Sequence, residues 1–517
     1  MTAARLLDRG AERFPDALLF DDSALRMTYA EARALSTRLA NALAAAGSVK
    51  GDHFLLLGAN NPHIYIALMG CWRAGMISLG INAKDAIEDQ ISMTKSRGVA
   101  WIFYHSDFAE NAARIREAMP GVKGVICVNG PCGDDPGMES FAEGHAEDKG
   151  GVLLEPDDIM ALSNSGGTTG APKSVSISVR AFRTMIASFM TEMTYTEKPV
   201  YLAAAPLTHA AGGLSYPMLP LGGRFVLMAK PEPELIMQTI EREKVTTLFL
   251  PPTLIYMMLA HPNVRDYDYS SLRYLVYAAS PMTPEKIEEA MDVFGPVIAQ
   301  TYGQAEAPMV CTYMDPKDYQ TALETGDKKV FSSCGRATVY TDIAIMNEDG
   351  ALLKDGEIGE LVVRGDIVMT GYQNNHDATE DSQRFGWHHT GDVGYRDENG
   401  FFYLVDRARD MIISGGFNIY PSEIERVILT NPAVQDCAVI GVPDAKWGEA
   451  VKAVVELRQD ASITEDEILN TCKTELGSMK TPKSVEFWPE LPKSPVGKIL
   501  KRKVREKFWA GKSRSIG

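Results

Sequence analysis

Cysteine is sparse: the chain has seven in 517 residues, at 71, 127, 132, 311, 334, 437 and 472, odd in number and never spaced as CxxC. That pattern excludes a disulfide scaffold and predicts reduced thiols in a core. The nine histidines contain no HExxH, and His388-His389 has no Cys or His partner at ligand spacing. No structural zinc is expected. Long apolar runs are missing as well. The most hydrophobic stretch, His53 to Trp72, is broken by Asn60, Asn61, Pro62 and His63, too much polarity for the roughly 20 residues that span a bilayer. The N-terminal MTAARLLDRGAERFPD carries acids early and no cleavable apolar core. It does not read as a signal peptide, and a cytoplasmic location is expected.

An excess of positive charge is also absent. A net charge of −16 disfavours general nucleic-acid binding, in which phosphate contacts dominate. The acidity is uneven. From Asp410 onward there are 16 Lys/Arg against 15 Asp/Glu, which leaves 36 against 53 of the chain's 52 and 68 before it. The stretch from Lys473 to Lys507 is locally basic, either a solvated charged helix or a contact for a phosphorylated ligand.

What is present is an ordinary globular composition, 45% hydrophobic and 23% charged, in a chain longer than one hydrophobic core sustains. Two or three packed units are expected. Strand and helix signals alternate through most of the chain before Asp410. Thr28-Tyr29-Ala30-Glu31 fits a capping box, with apolar Leu35, Leu39 and Leu43 following and Gly47 as a stop. The strand His53–Leu57 leads to Pro62 at a first helical position, with Gly75 beyond the helix. Thr246–Leu250 before Pro251-Pro252, and Tyr274–Ala278 before Thr283-Pro284-Glu285, repeat the unit. Such alternation predicts an α/β fold with mostly parallel sheets flanked by helices. After Asp410 the elements shorten: strands at 434–442, 450–457 and 485–488, a helix over 463–476, and a basic amphipathic end. A small α+β domain is expected there, which divides the chain into 1–408 and 409–517.

The densest chemical signal is Ser163-Asn164-Ser165-Gly166-Gly167-Thr168-Thr169-Gly170-Ala171-Pro172-Lys173, between strand signals at Ile159–Leu162 and Val175–Val179. Glycines let a backbone curl so that several N–H groups point inward, hydroxyls add donors and a lysine adds charge, which together make an anion nest suited to a polyphosphate. It is not a Walker loop, because Ala171-Pro172 separates the last glycine from Lys173 and no GK[ST] opens a helix.

This segment resembles the signature phosphate loop of the adenylate-forming superfamily: acyl-CoA synthetases, luciferase-like enzymes and the adenylation domains of nonribosomal peptide synthetases. Five further segments agree in order and spacing, so the resemblance covers essentially the whole chain. Pro206-Leu207-Thr208-His209-Ala210-Ala211-Gly212 resembles the segment whose histidine lies beside the acyl pocket. Gln300-Thr301-Tyr302-Gly303-Gln304-Ala305-Glu306 resembles the one whose tyrosine packs on adenine and whose glutamate holds Mg²⁺. Ala305 departs from the family's usual threonine, so one α-phosphate donor is absent or replaced. Trp387-His388-His389-Thr390-Gly391-Asp392 resembles the segment whose aspartate takes the ribose hydroxyls. Asp406 to Pro421 resembles the hinge segment, with Arg407 toward ribose, Arg409 at the pivot and Gly415-Gly416 close to a thiol arm. Pro492 to Arg502 resembles the closing motif, with Lys498 as the lysine that enters the active site.

The resemblance implies an ATP-dependent carboxylic acid:CoA ligase that makes an acyl-adenylate and then a thioester. Its catalytic residues would be Lys498 and Glu306. The nucleotide would lie on Ser165, Gly166, Gly167, Thr168, Thr169, Gly170, Lys173, Tyr302, Gly303, Asp392 and Arg407, with Mg²⁺ on Glu306 and Thr168. The acyl pocket would use His209, Ala210, Gly212, Ala278, Ala279 and Gly303, with few charges, so an uncharged fatty, alicyclic or aromatic acyl group is implied. CoA would meet Gly415, Gly416 and Trp447, although Trp447 reads equally as core packing; Lys480 and Lys483 are candidate contacts for its phosphates. Loading of a carrier-protein phosphopantetheine is the nearest alternative, with only Ile499 to Gly517 after Lys498 to hold a carrier. A non-catalytic nucleotide binder, hinted by Ala305, is the other. Oligomeric state is not legible.

Overall fold

The computed structural model describes residues 2–21, 25–83, 85–147, 151–165, 173–208, 210–407, 410–414, 417–444, 447–493 and 499–509. They divide into two compact units, one of 2–165, 173–342 and 363–381, the other of 343–362 and 382–509.

The larger unit is α/β, with two sheets among the described residues. In the nine-stranded one the neighbours Ile298–Tyr302, Tyr274–Tyr277, Thr247–Phe249, Val200–Ala203 and Arg224–Leu227 run parallel. In the seven-stranded one Ile159–Asn164, Ile77–Leu79, His53–Leu57, Val99–Tyr104 and Gly124–Cys127 do the same. Local chemistry sets the helices between them. Thr28 and Glu31 form the reciprocal capping box at the start of Tyr29–Ala45, and Asn61 caps Pro62–Arg73 with proline at its first turn. Thr283 accepts the Lys286 N–H ahead of Pro284–Phe294. Each bond satisfies an N–H that a helix start leaves without an internal partner. Strands buried on both faces favour apolar residues, as in Tyr274–Tyr277, buried at every position; Ile298–Tyr302 is equally buried but carries Gln300, whose Oε1 accepts from the Tyr277 and Tyr319 hydroxyls.

The two sheets are mostly parallel, as expected, with antiparallel pairs toward their edges: Leu18–Asp21 with Arg26–Thr28, and Ile298–Tyr302 with Thr312–Met314, which pairs in turn with Arg336–Ala337. Ile159–Asn164 and Ser174–Ser178, which flank the glycine-rich segment, form an antiparallel hairpin, and Gly371–Tyr372 adds to its outer strand. Asp342–Met346, Gly359–Arg364, His388–Arg396 and Phe402–Arg407, most of whose residues belong to the other unit, form a four-stranded sheet whose last two strands are antiparallel. The C-terminal part of that unit is α+β. The long hairpin of Val434–Asp444 with Gly448–Leu457 pairs in parallel with Ser484–Trp488. The helices Pro421–Leu429 and Glu465–Lys480 bury Ile424, Ile428, Ile468 and Cys472 against one face, while Val504 of Lys501–Trp509 joins Ala438, Ile440 and Val454 on the other. Six of the seven cysteines are buried and all are free.

Candidate active site

In the larger unit the predicted residues gather at the carboxyl ends of neighbouring parallel strands, where side chains and loops of an open α/β sheet are free to build a site. Ala278 and Ala279 follow Tyr274–Tyr277; Gly303 follows Ile298–Tyr302; Pro206 to Gly212 follow Val200–Ala203. Ala279 has φ 75 and Met309 φ 64, left-handed conformations that cost a non-glycine residue about 1–3 kcal/mol and cluster at functional sites. Met309 lies against two glycines: a Cβ at Gly303 would lie 2.6 Å from its carbonyl carbon, and one at Gly213 2.3 Å from its sulfur. At Gly213 the obstacle is the flexible end of the methionine, which can move aside, whereas at Gly303 it is backbone and excludes a side chain. Gly212 packs its backbone on Leu207 in the same way, while Ala210 is half-buried. His209 lies outside the described residues.

The segment before His209 is held by Asn60. Its amide donates to the carbonyls of Ala203 and Ala205 at 2.8 Å each and accepts the Leu207 N–H at 2.9 Å. A buried amide with three satisfied bonds fixes a loop that sequence alone leaves undetermined. In the sequence Asn60 only interrupts an apolar stretch.

At the hairpin the base of the glycine-rich loop is closed by two bonds. Ser165 N–H donates to the Lys173 carbonyl at 2.9 Å, and Lys173 N–H to Ser165 Oγ at 3.1 Å. Gly166, Gly167, Thr168, Thr169 and Gly170 lie outside the described residues. Lys173 Nζ sits 4.7 Å from the ring centre of Tyr372, and the Tyr372 hydroxyl donates to Glu306 Oε1 at 2.8 Å. Glu306 is buried at 8% exposure, and its carbonyl accepts the Met369 N–H at 2.7 Å. One tyrosine thus links the loop lysine to the buried carboxylate, by cation–π attraction on its face and a hydrogen bond at its tip. Burial, then the neighbouring carboxylate, raises the Tyr372 phenol above its ordinary range, so it stays a donor at any physiological pH. Tyr372 was not found from the sequence: it stands 66 residues from Glu306 in a two-residue strand. Tyr302 is buried beside this site at 9% exposure.

In the other unit, Glu360 shapes the strand that carries Asp392. Its two carboxylate oxygens take the Gly391 N–H at 2.8 Å and lie 2.7 Å from His389 Nδ1. Thr390 Oγ1 donates to the Leu361 carbonyl at 2.7 Å and accepts the Asp392 N–H at 3.1 Å. Asp392 is buried and is the direct register partner of Arg407 across the antiparallel pair. His388 is buried as well. Desolvation, reinforced by His389, pushes it down to about 4.

Arg409, Gly415, Gly416 and Lys498 lie outside the described residues, but their flanks are fixed. Lys493 bridges Ile499, and the Leu500 N–H donates to the Pro492 carbonyl at 2.8 Å. Ser414 pairs with Gly448, next to Trp447 at the hairpin turn. Trp447 is 44% exposed, not a core residue. Lys480 pairs with Glu423 at 2.6 Å, and the Lys483 ammonium lies 3.5 Å from the Ser478 carbonyl. No helix among the described residues is long and apolar enough to cross a membrane.

Comparison with known proteins gives a single family. The AMP-binding enzyme model matches residues 7–373, and the AMP-binding enzyme C-terminal domain model matches 423–498. The chain is 34% identical over 492 residues to the medium/long-chain-fatty-acid–CoA ligase FadD8 of Mycobacterium tuberculosis, covering 92% of this chain and 85% of that one. It is 33% identical over 502 residues to a feruloyl-CoA synthase of an Amycolatopsis species, covering 97% and 98%. Among solved structures, the amide bond synthetase McbA from Marinactinospora thermotolerans superposes with a TM-score of 0.87 at 28% identity, over 98% of this chain and all of that one. With family models over most of the chain and full-length relatives above 30% identity, the chain belongs to the AMP-binding enzymes of the adenylate-forming superfamily, in the acyl-CoA synthetase group.

Proposed function

We propose that this acid:CoA ligase holds ATP against the Lys173–Tyr372–Glu306 chain, activates an uncharged fatty, alicyclic or aromatic acid as its adenylate, and passes the acyl group to CoA with Lys498 and the Gly415-Gly416 segment acting in turn. The observation that carries the reading is the tyrosine bridge: a buried carboxylate and a loop lysine are oriented by one side chain at the base of a glycine-rich hairpin. Glu306 is a fitting ligand for Mg²⁺, because that ion is usually held by one or two carboxylates plus substrate phosphates and not by an all-protein cage. It would supply charge neutralisation on the phosphates.

In the first half-reaction the acid's carboxylate attacks the α-phosphorus, and pyrophosphate leaves. The acid, with a pKa near about 4, is already ionised at neutral pH, so no general base is needed. Repulsion between two anions is the obstacle, and preorganised positive groups oppose it: Lys173, Lys498 and the N–H groups of 165–170. In the second half-reaction the CoA thiolate attacks the acyl carbon and AMP leaves. Asp392 and Arg407 take the ribose, and Arg409 is the pivot between domains 1–408 and 409–517 as the small one turns. The pocket wall of Gly212, Ala278, Ala279, Gly303 and Met309 is small and apolar, which supports an uncharged acyl group; such a wall separates neighbouring homologues by only about 1–3 kcal/mol per methylene. A cytoplasmic setting, where ATP and CoA are available, fits this chemistry.

The test is a panel of carboxylic acids assayed for CoA-dependent release of AMP, with acid-dependent exchange of pyrophosphate into ATP measured in parallel. AMP and acyl-CoA in equal amounts support the reading. ADP as product, or ATP turnover with no acid in the panel, overturns it. Exchange without CoA-dependent thioester would move the acceptor to a carrier-bound thiol.

A further inference from the structure

Beneath the glycine-rich hairpin lies a charged side chain that the activity does not use. Arg97 ends the helix Ile87–Arg97 and is 4% exposed. A helical side chain leans back along its helix, and this one carries its guanidinium to the two feet of the loop. Nε donates to Ser174 Oγ at 2.8 Å, and Nη2 donates to Asn164 Oδ1. Asn164 and Ser174 are direct register partners, the last residue of the outgoing strand and the first of the returning one. The Asn164 amide is fixed in turn, donating to the Gly80 carbonyl at 3.0 Å.

Both partners are neutral. Among the described residues, Nη1 is buried with no hydrogen-bond partner and no carboxylate pairs with the group. Burying a guanidinium on neutral acceptors costs stability that a paired carboxylate would offset. A planar fork that spans two strands is also something a lysine cannot reproduce. The arrangement sets the spacing of the loop's feet and keeps an unneutralised cation close to them, and both features favour a polyphosphate on the loop.

We infer that Arg97 is a positioning residue for nucleoside-triphosphate binding: it braces Asn164 and Ser174, the two feet of the loop proposed to hold the β- and γ-phosphates, and its charge, unpaired among the described residues, adds to their attraction. This rests on the proposal that the loop binds ATP. Burial, which lowers the guanidinium's pKa, marks the same energetic tension.

The experiment is calorimetric titration of the full-length protein with ATP, inorganic pyrophosphate and AMP, for the wild type, Arg97→Met, Arg97→Lys and Ser174→Ala. AMP is the control, since it lacks the phosphates in question. Arg97→Met is expected to weaken ATP and pyrophosphate by roughly ten- to a hundredfold and to leave AMP affinity unchanged. Arg97→Lys and Ser174→Ala should show smaller losses with the same selectivity, and they carry the test should Arg97→Met fail to fold. Equal weakening of ATP and AMP, or no weakening of either, overturns the inference while the wild type still binds ATP. A wild type that binds neither ATP nor pyrophosphate sinks the functional reading itself.

Discussion

The two units hold their candidate functional groups by different physics. In the larger one the fixing hydrogen bonds have neutral donors, are buried or partly buried and are long in sequence: Tyr372 on the Glu306 carboxylate across 66 residues, Asn60 with Leu207 across 147. In the C-terminal part of the other, ion pairs nearer solvent do the fixing. Arg505 meets Asp410 at 2.7 Å beside the proposed pivot, and Lys493 meets Asp436 at 3.2 Å and Glu456 at 3.3 Å at the edge of the segment that carries Lys498. A buried network is expensive to break and defines one geometry. Partly exposed ion pairs contribute about 0–1 kcal/mol each and re-form readily.

That comparison can be broken from either side. The largest effect is expected at Lys498, the group proposed to arrive from the second unit: Lys498→Ala should slow adenylation by roughly 10²–10³, since loss of one preorganised electrostatic group costs about 2.7–4 kcal/mol. Single-turnover formation of acyl-AMP at the wild-type rate would remove that lysine from the chemistry. Next comes Tyr372→Phe, which deletes a hydrogen bond to a charged group, worth about 1.5–3 kcal/mol. Adenylation should fall by roughly 10–100-fold. The wild-type rate should show no inflection from this phenol between neutral pH and its ordinary pKa of about 10, because its folded value is raised. A tyrosine-dependent inflection in that window would contradict the bridge.

Arg505→Ala is expected to act more weakly and on the other half-reaction. It removes the Arg505 ion pair with Asp410 next to the proposed pivot, so thioester formation should slow severalfold while pyrophosphate exchange is unchanged; equal losses in both would mean that the ion pair merely stabilises the fold. The smallest effect concerns stability. His388 has a folded pKa of about 4 against an ordinary value near 6.5, so the unfolded chain binds the extra proton. Its contribution is therefore whole above the ordinary value and is lost as pH falls from about 6.5 to 4. Melting temperatures of the wild type and His388→Gln across that window should converge as pH falls, and a constant difference would refute the assignment.

Much of this was legible in one dimension. The caps at Thr28, Asn61 and Thr283, and the strands at 53–57 and 274–277, follow from side-chain chemistry acting over a few residues. The glycine-rich segment stood out by its own composition, while Glu306 and Asp392 were marked by the family resemblance of the segments that carry them. Tyr372, Asn60, Glu360 and Arg97 did not. Each resembles an ordinary strand, loop or helix residue, and each acts through a partner that only the folded chain supplies. The antiparallel hairpin at 159–178 was likewise missed, since an apolar strand signal does not say which neighbour it will join.

The sequence by itself determined the alternation of elements and the family, and it supplied the glycine-, hydroxyl- and lysine-rich composition of residues 163–173 on which the proposed anion site rests, because these depend on local composition and order. Tertiary structure alone decided which distant groups orient that chemistry: that a tyrosine ties Lys173 to Glu306, and that a buried arginine spans the loop's two feet. Such contacts arise from the stacking of strands far apart in the chain, and no local pattern encodes which strands will lie side by side.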